Sequence, residues 1–94
     1  MYDERVLWDA WNRKAFQAFG AARGITPGSA EEVLGDPFGD VAYAAEWNGW
    51  RTIGRTATGR WLIVMWIRRR AGRYPLYARD ATDMVRRLLE DGEE

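Results

Sequence analysis

Arginine is the side chain through which this sequence could do chemistry. Ten arginines lie between Arg51 and Arg87 against two acids, Asp80 and Asp83, so that span carries +8. The first fifty residues hold four bases and eight acids, and residues 88–94 add four more acids. A net charge of zero therefore conceals a basic block framed by two acidic ones. A guanidinium pairs bidentately with phosphate and stacks on bases, so arginines interleaved with aromatics suit a polyanion, nucleic acid first. An ordinary solvated face is the plain alternative.

Within the block, Arg51, Arg55, Arg73 and Arg79 are the candidates for gripping a reacting phosphate. Arg51 and Arg55 stand four apart on an expected strand and so share a face, together with Ile53. Arg79 precedes an expected helix N-terminus, a place that favours anions; pairing with Glu90 or Glu46 is its structural alternative. Arg68-Arg69-Arg70 would meet backbone phosphates at a hairpin end, or receive an acidic segment such as residues 90–94. Tyr77 and Trp50 are candidates to stack on bases. Tyr74 and Tyr77 have opposite strand parity, so at most one is expected to face a ligand while the other packs. Trp47 and Trp50 flank an Asn-Gly turn and are hard to bury together. Glu46 is the sole acid of the hairpin and is expected to be inert, as is the single lysine, Lys14.

These side chains need a frame. Asp9 can cap a first helix whose apolar positions are Trp8, Trp11, Ala15, Ala18, Phe19 and Ala22, ending at Arg23 and a left-handed Gly24. Ser29-Ala30-Glu31-Glu32 reads as a capping box opening a short second helix that stops at Gly35-Asp36-Pro37. Strands follow over 41–47, 50–56, 60–68 and 74–78, turned at Asn48-Gly49, Thr58-Gly59 and Ala71-Gly72. The run Trp61–Ile67 is apolar at every position, as in a central strand covered on one side and partly packed on the other. Pro75 cannot donate to a ladder and suits an edge or a strand start. Asp80 caps a last helix with the stripe Ala81, Met84, Val85, Leu88 and Leu89. The expectation is one α+β domain over residues 1–94, with about four antiparallel strands, two N-terminal helices and one C-terminal helix.

Composition narrows the chemistry. The chain has no cysteine and no histidine, which removes disulfides, thiolate nucleophiles, the commonest metal ligands and the usual neutral-pH base. No metal site or cofactor is expected from its dispersed acids. The longest apolar run is too short to cross a bilayer, and residues 1–5 lead directly into a charged amphipathic stretch, so a cytoplasmic protein is the expectation.

Four blocks, in order and in register, resemble the BrnT-type toxins of bacterial type II toxin–antitoxin systems. They are Trp8-Asp9; the segment from Gly24 to Pro37; Arg51-Thr52-Ile53-Gly54-Arg55 with Gly59-Arg60-Trp61-Leu62-Ile63-Val64; and the segment from Arg73 to Thr82. Together they reach from Trp8 to about Leu89. The resemblance implies a RelE-like fold and a ribonuclease that blocks translation. It also implies a cognate antitoxin of the ribbon-helix-helix type, which would cover the toxin and bring the complex to operator DNA. The family's usual Lys-His before the helix-ending glycine is Ala22-Arg23 here, and its C-terminal tyrosine is Leu89.

Cleavage of RNA through its own 2′-hydroxyl requires removal of that proton, stabilisation of charge on the phosphorane and a proton for the leaving oxygen. Arginine serves the second need and, staying protonated, serves the first poorly. Two readings stay open: a metal-independent endoribonuclease acting mainly by arginine electrostatics, and a toxin-derived module that binds antitoxin or RNA without cutting. A third is a small domain whose arginines meet only acidic protein surfaces.

Overall fold

A computed structural model describes residues 4–92, with side chains described as far as Leu89. Helix α1 (Ala10–Gly20) runs through a 3-10 turn (Ala21–Arg23) to α2 (Pro27–Leu34). Strands β1 (Asp40–Ala44), β2 (Gly49–Arg55), β3 (Trp61–Arg69) and β4 (Gly72–Asp80) follow, then α3 (Thr82–Gly92). The strands form one sheet in the order β1-β2-β3-β4, antiparallel throughout. This is the expected α+β architecture, with two helices before the sheet and one after it.

The helix ends follow local chemistry. Asp9 accepts from the backbone N–H groups of Trp11 and Asn12, while Asn12 Oδ1 accepts from Asp9 N, a reciprocal box. Gly24 takes the left-handed conformation at φ 68°. The second capping box begins three residues earlier than expected. Thr26 is the N-cap, Pro27 sits in the first turn, and Ser29 answers as the third helical residue.

The rotation of α1 differs from the expected one. Its buried residues are Asn12, Phe16 and Gly20, whereas Trp11, Ala15, Ala18 and Ala22 face outward, Trp11 at 84% exposure. Asn12 causes this. Its Nδ2 donates to the carbonyls of Leu7 (2.9 Å) and Pro75 (3.0 Å), so a buried polar group is fully partnered and pins the helix to β4. Gly20 permits the return of the chain, because a Cβ there would lie 2.2 Å from Ile25 O.

Strand β3 divides two cores. Leu62, Val64 and Trp66 join Phe16, Ile25, Ala30, Val33, Leu34 and Ala78 beneath α1 and α2. Ile63 points the other way and meets Ile53, Ala81 and Val85, with Trp61, Met65 and Met84 around them. The first core is thick and closed; the second is a thin cover supplied by the start of α3. Trp66 is 1% exposed, and its Nε1 donates to Thr52 Oγ1 at 2.9 Å.

Two departures shape the functional face. The β1–β2 connection is longer than an Asn-Gly two-residue turn: Ala44 pairs with Gly49, and Asn48 has φ 57°. More consequentially, β4 is bulged. Met65 pairs with Tyr77 but Trp66 pairs with Pro75, so Leu76 is an extra residue. On the outer side of β4 the leading chain forms a short parallel bridge, with Leu7 N donating to Arg73 O and Arg73 N to Arg5 O, each at 2.7 Å. Gly72, at φ 151°, admits that approach; a Cβ there would lie 2.2 Å from Arg5 O.

Candidate nucleic-acid interface

Cross-strand register places three of the four candidate arginines on the sheet face opposite α2, with α1 reaching its β4 edge. Arg51 of β2 lies beside Met65 of β3, which lies beside Tyr77 of β4. One row along, Ile53, Ile63 and Arg79 are aligned in the same way. Arg51 and Tyr77 are two strands apart, roughly 10 Å at the usual inter-strand spacing, and Arg79 stands two residues beyond Tyr77. Long guanidinium side chains from these positions can reach one phosphodiester between them. Arg79 is exposed, Arg51 is half-buried and Tyr77 is 37% exposed. Neither Arg51 nor Arg79 has an ion-pair partner among the described residues. Glu46 is exposed in the β1–β2 turn rather than on a strand, and the side chain of Glu90 lies outside the described residues.

Arg55 shares the face but not the cluster. Ile53 stands between it and Arg51, and Val85 packs over the Ile53–Ile63 row. The Arg55 guanidinium instead lies 5.4 Å from the centre of the Trp61 ring. It borders a cleft of about 640 Å³ with Glu32, Asp36, Phe38 and Trp61. Asp36 builds one wall, accepting from Phe38 N at its Oδ1 and from Arg55 N at its Oδ2, both at 2.9 Å. These two backbone bonds, Arg55's the larger influence, hold the Asp36 carboxyl below the ordinary aspartate pKa.

Arg73 is not with the others, and the bulge at Leu76 is the reason. Six residues separate Arg73 from Arg79, which in a regular strand would place both on one face. The extra residue turns Arg73 to the helix-covered side. There its Nη1 donates to Leu34 O (2.8 Å), its Nε donates to Glu4 O (2.9 Å), and Nη2 also reaches Glu4 O. Burial lowers its pKa below the usual arginine value, and the Glu4 carboxylate 3.6 Å away offsets only part of that. Arg73 is a structural clamp between the leading segment, α2 and β4.

The remaining sequence candidates divide. Arg68 joins Arg73 on the helix side, paired with Glu4 at 3.0 Å and lying over Trp66. Arg69 lies 3.8 Å from the centre of the Tyr74 ring, and Arg70 is exposed in the β3–β4 turn. The triplet is therefore split, with Arg69 and Arg70 left as accessible cations. Trp50 is stacked on Trp66 with centroids 5.6 Å apart and braced by Tyr43, so it belongs to the first core rather than to a ligand face. Trp47 is half-buried and its ring fills the space beside Gly49, so the pair forms no joint exposed patch. Because of the bulge, Tyr74 and Tyr77 both lie on the arginine side, opposite Ile67 and Met65. Tyr74 is buried and donates to Asp9, its pKa raised by burial and then by that bond. Tyr77 is the more accessible of the two, its ring packed edge-on with that of Phe19 of α1 at a centroid distance of 5.3 Å.

Sequence reasoning missed Phe38, an aromatic left 90% exposed by the Asp36-Pro37 turn, and missed the cleft beside it. Among the described residues, no group of acids is close enough to hold a metal ion, and no helix is long and apolar enough to cross a membrane. No family model, curated protein or solved structure matches the chain.

Proposed function

We propose that this chain is an endoribonuclease toxin of the type II toxin–antitoxin class, as its resemblance to BrnT-type toxins implies, gripping RNA on the Arg51–Tyr77–Arg79 face. One observation carries the reading: two guanidinium groups, without ion-pair partners among the described residues, stand beside a phenol on a sheet face that α3 covers only in part. Arg51 and Arg79 would hold the scissile phosphate and stabilise its charge in the transition state, and Tyr77 would stack on an adjoining base. Arg69 and Arg70 would extend the phosphate track. A ribbon-helix-helix antitoxin, covering this face, is the implied partner.

A second reading is favoured by a specific feature. Among the described residues no histidine or carboxylate is aligned with Arg51 or Arg79, so the groups that could move the 2′-hydroxyl proton are few. On that reading the face binds RNA without cutting it. The two separate in one assay set: single-stranded RNA incubated with the protein in chelator, binding followed by fluorescence anisotropy at low salt, cleavage by gel. Wild-type cleavage that falls about 10²–10³-fold in Arg79→Ala supports the toxin. Binding without fragments, relieved by the same substitution, selects the binding module. No binding at low salt refutes both.

A further inference from the structure

We propose that the cleft between the Asp36–Gly39 turn and the ends of β2 and β3 is a subsite for a guanine base. This deepens the RNA reading and rests on it for the polymer, though not for the base. The walls carry the inference. Phe38 stands almost wholly in solvent on one side, while Trp61, with the Arg55 guanidinium over its ring, forms the other. An exposed aromatic and an arginine-covered indole lining one open cleft offer ring surfaces on which a flat heterocycle can stack.

The polar groups select which one. Glu32, on α2, lines the same space and makes no hydrogen bond or ion pair among the described residues. A carboxylate only accepts, so it prefers a base edge offering adjacent N–H donors. Guanine presents N1–H and the N2 amino group side by side and can engage both oxygens. Adenine and cytosine offer one amino group, and uracil one ring N–H. Asp36 is a poor competitor for this role because its oxygens already accept from Phe38 N and Arg55 N. Arg55 remains to meet the phosphate of the same nucleotide. It shares its strand face with Arg51, with the buried Ile53 between them, so the base subsite and the phosphate grip lie on one side of β2 but are separated.

The test titrates guanosine, adenosine, cytidine and uridine 5′-monophosphates into the intact protein while the Phe38 and Trp61 ring resonances are followed by NMR. Guanosine monophosphate is expected to shift both rings and to bind about tenfold or more tightly than the others. Phe38→Ala, at an exposed position, should weaken it about tenfold without changing the fold. Glu32→Gln should erase the preference among bases while leaving stacking. Equal binding of all four nucleotides, unchanged binding by both variants, or displacement from these rings only by an arginine-containing peptide overturns the proposal. Single-stranded octamers, all adenosine or with one guanosine, keep the two readings apart. If both bind alike, the guanine subsite falls and RNA binding stands. If neither binds while the mononucleotide still shifts the rings, the RNA reading falls and the subsite stands.

Discussion

The two faces of the sheet use arginine in opposite ways. On the helix-covered face, Arg73 and Arg68 lie over Trp66, and Arg73 spends its donors on the carbonyls of Glu4 and Leu34. On the other face, Arg51 and Arg79 stand in adjacent rows, Arg51 in that of Tyr77, and have no ion-pair partners among the described residues. The residue type is the same; the environment decides whether the charge holds the fold or is left for a ligand. Basic composition alone says nothing about which.

The comparison is most easily broken at Trp66. Truncation to alanine removes a fully buried indole and its bond to Thr52, and should cost about 3–5 kcal/mol in denaturant unfolding. Next is Arg73→Ala, which removes charge-assisted bonds to the part-buried Leu34 carbonyl and to that of Glu4, and should cost about 1.5–3 kcal/mol. RNA affinity, measured where the variant is still folded, should then be unchanged; a large affinity loss would place Arg73 among the ligand groups after all. Arg51→Ala and Arg79→Ala are expected to behave the other way round. Their unfolding free energy should move by no more than about 0.5 kcal/mol. Each should weaken RNA binding evenly across sequences and lower the slope of log affinity against log salt by about one.

The smallest effect is with acid. Asp9, Asp36 and Asp80 have pKa values below the ordinary 3.8, set foremost by the Asn12 backbone N–H, the Arg55 backbone N–H and the Arg60 side chain respectively. A depressed folded pKa contributes stability above the unfolded value and loses it as pH falls through the folded one. Stability should therefore be level on their account above pH 3.8 and decline below it, and Asp36→Asn should make that decline shallower. A decline centred near neutrality would contradict this assignment.

Much of the fold was legible because its punctuation is local. Gly24 and Gly35-Asp36-Pro37 delimit helices by their own backbone preferences, and the apolar run from Trp61 to Ile67 marks a strand covered on one side and partly packed on the other. The start of α2 at Thr26-Pro27 lies three residues before the expected one, because Ser29 offers a second capping signature. What was illegible depends on distant partners. The rotation of α1 is set by Asn12 reaching Pro75, sixty-three positions away, and a polar residue gives no apolar signal. The face of Arg73 could not be counted from Arg79, since strand parity carries no warning of a one-residue bulge. Arg51 and Arg79 were brought to one face by pairing through β3, a register that neither strand encodes alone. Phe38 was overlooked because one aromatic in a turn has no periodicity to expose it.

The short bridge between Val6 and Arg73 has a consequence for how the polypeptide is made. Synthesis runs from the amino end, so Arg5 to Leu7 leave before a partner strand translated more than sixty residues later. Until it arrives, Gly72 and Arg73 cannot be joined to Arg5, Glu4 and Leu34, and the edge that Asn12 latches is missing. Closure of this domain thus waits until β4 has itself left the ribosome.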